Sequence, residues 1–230
     1  MIFKTLKDRC YYFRDLPDNR LVPNQWYLIM LDGHSFSKKV KKRFKRPFDD
    51  SFVSAMNETA LHLCNKLQSV KFAFVQSDEI TLFCKDSSES EMEFSGRYCK
   101  LQSLCASMAT AKFNHIMWKN DVDDEFEFDC KVWNVPDEDE AFAWYRFRRT
   151  DCERNSINQY AESFMSHKQR NGVTRTDLVE KLKADGHDWN SLPNEWKYGR
   201  AIEKEPCISH GVERDKFFVK PANTATFWKY

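Results

Sequence analysis

Three acids stand at the ends of apolar runs: Asp32 after "WYLIML", and Asp78 with Glu79 inside "FAFVQSDEITLF". Two adjacent acids at the tip of a buried hairpin are unfavourable unless a cation meets them. Carboxylate oxygens at low ligand number suit Mg2+, which keeps waters and shares substrate phosphates. Two such ions clamp the attacking and leaving oxygens of a phosphoryl transfer. The carbonyl of Gly33 adds a further oxygen, because glycine lets the chain approach closely and permits a turn. The plainer alternative is that Asp32 starts a turn and Asp78–Glu79 is a solvated hairpin tip.

A triphosphate held this way also needs cations on its outer oxygens. "KKVKKRFKR", residues 38–46, carries seven cationic side chains in nine positions, and "RFRRTDCER" adds Arg146, Arg148, Arg149 and Arg154. We read the first stretch as a loop. Arg46, beside Pro47 and just before a helix N-terminus, is the best placed for phosphate. Lys38, Lys39, Lys41, Lys42 and Lys45 suit contacts to RNA phosphates that carry no sequence information.

The elements that must position these groups follow from periodicity. "WYLIML" is apolar throughout, as a central strand buried on both faces would be. Asp49, Asp50 and Ser51 offer cap oxygens, and Phe52, Met56, Ala60, Leu63 and Leu67 recur on one helical face. "KFAFVQ" and "ITLFC" read as strands joined by a tight turn at Ser77-Asp78-Glu79. An acidic loop over 85–96 precedes a second helix from about Arg97 to Trp118, and Glu125 to Val135 alternates as a fourth strand. Strand, helix, strand, strand, helix, strand is the split βαβ unit, whose crossovers put the first and third strands side by side at the centre. Asp32 ends the first of these and Asp78–Glu79 begins the third, so the acids converge on one end of the sheet.

The fold class expected is therefore α+β, with a ferredoxin-like core over residues 1–136. Residues 137–230 form a helical and hairpin extension packed on it. In that extension, Thr150 or Asp151 offers a cap for a helix stopped by Gly172. Thr174 and Gly186 bound another helix, and "YGRAIEK" with "DKFFVKPA" reads as a late hairpin.

Composition excludes several classes. The net charge of +1 rules out a general basic coat for nucleic acid, but not a local patch. The 230 residues, 41% hydrophobic with 19 Phe, suffice for a large core. Eight cysteines contain no C-x-x-C pair, which disfavours zinc and suits reduced thiols in the cytoplasm. No long apolar segment suggests a signal peptide or a membrane span.

"LDGHSFSK", "KRPFDD", "QSDEITLF", "GRYCKLQSLCAS", "FDCKVW" and "RRTDCERNSINQYAESF" occur in this order from about Trp26 to Lys204, with a fainter echo in "KPANTATFWKY". Together they resemble the tRNA-His guanylyltransferase family, and more closely its Thg1-like branch. The resemblance implies a polymerase-like palm that adds nucleotides to the 5′ end of RNA. ATP activates that end in the monophosphate case, and the 3′-hydroxyl of an incoming GTP or other NTP then attacks the activated phosphate. It implies two Mg2+ ions on Asp32, Gly33 and Asp78, with Glu79 beside them. It implies nucleotide contacts from His34, Ser35, Phe36, Ser37, Arg46, Asp49, Ser77 and Lys100. Lys131, Arg149, Asp151 and Asn155 then handle the 5′ end and tRNA, and Lys38, Lys41 and Lys42 the RNA phosphates. A homotetramer acting in the cytoplasm is also implied. The family's "HINNLYN" reads "ERNSINQ" here, and His34 stands where Arg is frequent, which favours templated extension over dedicated G addition. Two other readings compete: another palm nucleotide enzyme such as a nucleotidyl cyclase, and an RNA-binding palm without chemistry.

Overall fold

The computed structural model describes residues 4–5, 7, 10–11, 19–86, 92–209 and 212–228. The acidic loop expected over 85–96 lies partly outside them. Chain order begins with β1 (Trp26–Gly33), α1 (Phe36–Arg43), α2 (Asp50–Lys66), β2 (Val70–Gln76) and β3 (Glu79–Cys84). Then come α3 (Tyr98–Lys119), β4 (Phe128–Val135), α4 (Glu138–Phe164), α5 (His167–Arg170), α6 (Arg175–Ala184), α7 (Asn194–Tyr198), β5 (Arg200–Ser209) and β6 (Val212–Pro221).

The strands form one sheet in the order β4-β1-β3-β2-β5-β6, every neighbouring pair antiparallel. Its first four positions are those expected of the split βαβ unit, and the late hairpin extends the same sheet beyond β2. Alternation sorts β1 between two cores. Tyr27, Ile29 and Leu31 pack with α2 and α3, while Trp26 and Leu28 pack with Ala141, Tyr145 and Cys152 of α4. Asp32 continues the second row, so it emerges on the α4 face. A third cluster joins Ile157, Ala161 and Met165 to Leu178, Leu182 and Trp189. Glu203, buried on β5, accepts from the Thr226 and Phe227 amides and pairs with Lys220, fixing the C-terminal aromatic segment on the α4 side.

Four sequence expectations change. The lysine stretch is a helix, not a loop: Phe36, Val40 and Phe44 recur every four residues against the core, and lysine tolerates helix well. Thr150 and Asp151 cap nothing, because α4 runs through them for 27 residues, and it ends at Phe164 with α5 following rather than running on to Gly172. Its cap is Asp137, which accepts from the Glu140 amide at 3.0 Å. Ala141, Tyr145, Cys152, Ser156 and Ala161 keep one buried stripe along the whole helix. β4 begins only at Phe128, since residues 125–127 precede the ladder with Gly33. Finally, the turn after Asp32 places its positive φ, 57°, on Ser35 rather than Gly33. Among the described residues no helix is long and apolar enough to cross a membrane.

Candidate active site

Asp32 ends β1 in register with Glu79 of β3 on one side and Asp129 of β4 on the other. Gln76 pairs with Glu79 beyond, so a cross-strand row runs Asp129, Asp32, Glu79, Gln76. The β2–β3 hairpin closes through two residues only. Ser77 adopts φ 45°, a left-handed conformation that strains a side chain, and Asp78 follows at the tip. The Gly33 amide donates to the Asp78 carbonyl at 3.1 Å, which locks the tip against the end of β1.

This crowding has the expected electrostatic consequence. Burial, then Asp78, Glu79 and Asp129 push the Asp32 carboxyl up to about 6, against a smaller opposing effect of Lys131. Burial also raises Asp78, although the Ser77 hydroxyl hydrogen-bonds to it. The acids are thus held in a state that a cation would relieve.

Glu79 is different from its neighbours. Arg148 of α4 donates to it from Nε at 2.9 Å and also from Nη2. Arg148 Nη1 reaches Asp151 at 3.0 Å, and Asp151 also pairs with Arg154. Glu79 and Asp151, two of the carboxylates expected at the site, are therefore neutralised by arginines within the fold. Among the described residues neither Asp32 nor Asp78 is held in an ion pair, and only Lys131 acts on Asp32 from a distance.

The acids open onto a cleft of about 430 Å³ between the sheet end, α1, α2 and α4. Ser37, Lys45, Arg46, Ser77 and Asn155 line it together with Asp32 and Asp78. Asp49 lines it too, but its carboxylate caps α2, accepting from the Ser51, Phe52 and Lys45 amides at 2.9, 3.1 and 3.0 Å. Lys131 lies on β4 two residues beyond Asp129 and within electrostatic reach of Asp32.

Other expected residues are placed elsewhere. Phe36 is 1% exposed and packs on Phe52, Phe113, Phe126 and Phe128, so its ring is core. Gly33 serves that packing: a Cβ there would stand 2.4 Å from the Phe36 ring. Lys100 sits at the opposite end of the sheet, its ammonium 5.5 Å over the Phe94 ring. The neighbouring Tyr98 bonds Asn134, which pairs with Tyr27, five residues and roughly 16 Å along β1 from Asp32. His34 and Ser35 are exposed in the turn after β1. Lys38 and Lys42 project from α1 outside the cleft lining, and Lys41 belongs to the same helix. Arg149 is exposed and hydrogen-bonds Tyr145, whereas Arg148, one residue earlier, faces the acids.

Sequence reasoning missed Arg148, Asp129, Arg200 and Lys45 as cleft residues or acid partners. Strand parity alone would have put Asp129 opposite Asp32, and the seven-residue spacing of Ala141, Tyr145, Arg148 and Cys152 would have turned Arg148 inward.

Whether these groups suit a metal can be asked of the donors. Among the described residues no group of three or more His, Cys, Asp or Glu is close enough to form a ready-made metal cage. Two carboxylates and a nearby backbone carbonyl are hard oxygen donors, the set that holds Mg2+ with water and substrate phosphate completing its shell. The eight cysteines are all free thiols, Cys64, Cys84, Cys105 and Cys152 buried.

A split βαβ sheet that carries a pair of uncompensated acids at the tips of its two central strands, open to a nucleotide-sized cleft, is a palm of the nucleotidyltransferase class. Residues 10–136, more than half of the chain, match the family model described as tRNAHis guanylyltransferase, Thg1, and the chain belongs to that family of nucleotidyltransferases. A bacterial tRNA(His) guanylyltransferase (Thg1)-like protein in complex with ATP superposes with a TM-score of 0.84 at 28% identity, covering 94% of this chain and 91% of that one. A structure described in the same terms, in complex with GTP, gives 0.82 at 27% identity over the same shares. The uncharacterized protein R259 of Acanthamoeba polyphaga mimivirus is 26% identical over 243 residues, 93% of this chain and 82% of the relative.

Proposed function

We propose that this chain extends the 5′ end of a tRNA or tRNA-like RNA by Mg2+-dependent transfer of GTP or another templated nucleotide. The observation that carries this reading is the convergence of Asp32 and Asp78 on the cleft, neither of them held in an ion pair among the described residues. Nucleotide-bound structures of similar chains support the cleft as the nucleotide site.

Asp32, Asp78 and the Gly33 carbonyl would hold the Mg2+ ions, which supply charge neutralisation for the phosphoryl oxygens and activate the attacking hydroxyl. Lys45 and Arg46 bind the outer phosphates. Arg148 keeps the Glu79 carboxylate occupied, so that it does not compete for position beside Asp32. Ser77 orients the Asp78 carboxylate through its hydroxyl. Lys131 and Asn155 meet the 5′ end, and the exposed lysines of α1 grip RNA phosphates. In this division of labour residues 1–136 act as the palm and residues 137–230 as an extension sharing its sheet. The reading includes a homotetramer working in the cytoplasm.

The test is incubation of the protein with Mg2+, ATP, labelled GTP and a 5′-truncated, 5′-monophosphorylated tRNA. Label gained at the 5′ end supports the proposal. A cyclic nucleotide would instead identify a cyclase, and retained RNA without product a binding protein.

A further inference from the structure

Two arginines border the cleft from the extension, and the fold treats them oppositely. Arg148 of α4 is shared between Glu79 and Asp151. Arg200 opens β5, is 4% exposed and lines the cleft. Its Nε donates to Asn57 of α2 at 3.0 Å, but Nη2 is buried with no hydrogen-bond partner. Burial pulls it down to about 10, and among the described residues no carboxylate pairs with it; Glu195 acts on it only from a distance. A neutral amide does not balance a buried guanidinium, whose desolvation is strongly unfavourable unless an anion meets it. The protein supplies no such anion, and the cleft beside it is where one would come from.

Position narrows the anion. Arg200 pairs with Val75 of β2, three residues before Asp78. At the rise of a strand that is roughly 10 Å of chain, a gap that an arginine side chain and a row of phosphates cover together. Asn57, which orients the guanidinium, lies on α2, whose cap Asp49 follows Lys45 and Arg46 of the cleft lining. Cys152 of α4 is within electrostatic reach on the other side. The guanidinium therefore sits between α2 and α4, at the sheet end that carries Asp78. Its planar fork matches the oxygens of a phosphate, and phosphate is the anion that both substrates of the reaction bring to this cleft. Arg200 lies outside residues 10–136, which match the family model.

We propose that Arg200 is a phosphate-receiving residue of the cleft, contributed by the extension, whose fork closes on the free oxygens of a substrate phosphate. That phosphate belongs either to the nucleoside triphosphate or to the 5′ end of the RNA. The recognition chemistry is the same for both, and the experiment separates them. The inference rests on the nucleotidyl-transfer reading for the presence of both substrates. It carries a signature that a structural arginine lacks. A buried charge held without an internal anion weakens the unliganded fold, so an apolar side chain of similar length in its place should not destabilise it.

The test compares the intact wild-type protein with Arg200→Met in two measurements. The first is urea unfolding without ligand, in which the variant should have a midpoint at or above that of the wild type. The second is equilibrium binding with Mg2+, read by calorimetry. Its probes are GTP, inorganic tripolyphosphate and one truncated tRNA bearing a 5′-hydroxyl, a 5′-monophosphate or a 5′-triphosphate. A loss of about tenfold or more for GTP and tripolyphosphate alike assigns Arg200 to the nucleotide phosphates. Loss confined to the advantage of the phosphorylated tRNAs over the 5′-hydroxyl form assigns it to the RNA end. Unchanged affinity for every phosphate probe overturns the inference and leaves the nucleotidyl-transfer reading standing. A midpoint below that of the wild type, or a variant that does not fold, also overturns it, because the guanidinium would then be satisfied within the fold. Failure of the wild-type protein to bind any probe overturns the nucleotidyl-transfer reading as well.

Discussion

Arg148 closes on Glu79 with two nitrogens, Nε at 2.9 Å and Nη2, while its third, Nη1, holds Asp151 at 3.0 Å. The Arg148 side chain is 15% exposed and that of Glu79 7%. One residue of the long helix thus neutralises one of the two acids paired across the sheet with Asp32 and ties α4 to the sheet tip. Removing Arg148 strands a buried carboxylate. Arg148→Ala should lower unfolding stability by about 3 kcal/mol, more than Glu79→Gln does. Urea unfolding of both variants and the double mutant checks it. The double mutant should recover part of the loss.

The pH dependence follows from Asp32. Its carboxyl is raised from 3.8 to about 6 in the fold, so the protonated form is the one folding favours. Its contribution is full below pH 4 and disappears as pH rises through 6. A divalent cation binds the ionised form and reverses the trend. Thermal melts should therefore show a larger Mg2+ stabilisation at pH 7.5 than at pH 5, and Asp32→Asn should shrink that difference. An equal Mg2+ effect at both pH values contradicts the assignment.

Gly33 offers a packing test. Gly33→Ala drives a methyl group into the Phe36 ring and should cost about 1–3 kcal/mol. Phe36→Leu in the same chain should restore part of it, which denaturant midpoints of the two variants would show. Loss of stability with no rescue would mean that the glycine serves another purpose.

The basic helix separates RNA grip from nucleotide grip. Neutralising Lys38 and Lys42, which face solvent, should raise the RNA KM and flatten its salt dependence, with single-turnover chemistry nearly unchanged. Arg46→Ala, within the cleft, should instead raise the GTP KM. Steady-state titrations of RNA and GTP at two salt concentrations distinguish the two effects.

The sheet order and the convergence of Asp32 with Asp78 were legible in the sequence because strand runs and split βαβ chirality leave few alternatives. Helix boundaries were less so. Thr150-Asp151 looks like a cap, and only the unbroken stripe from Ala141 to Ala161 shows that packing overrides it. Lysine density disguised α1, whose apolar side is just Phe36, Val40 and Phe44. Residue roles carried over by motif alone fared unevenly, because a motif does not say where a side chain turns. Phe36 turns into the core, Lys100 lies at the far end of the sheet, and Arg148 rather than its neighbour Arg149 reaches the acids. Arg200 gave no sequence signal, since a lone arginine opening a strand carries no periodicity.

The central claim is that Asp32 and Asp78 together hold the ions that drive 5′ addition. It is tested most directly by single-turnover transfer of labelled GTP to one truncated tRNA, using Asp32→Ala, Asp78→Ala and the wild-type protein at saturating Mg2+. Circular dichroism and RNA binding confirm that each variant is folded. The account predicts that either substitution slows addition a thousandfold or more, since loss of several kcal/mol of transition-state stabilisation is about tenfold in rate per 1.4 kcal/mol. Addition within about tenfold of wild type by either folded variant would contradict it.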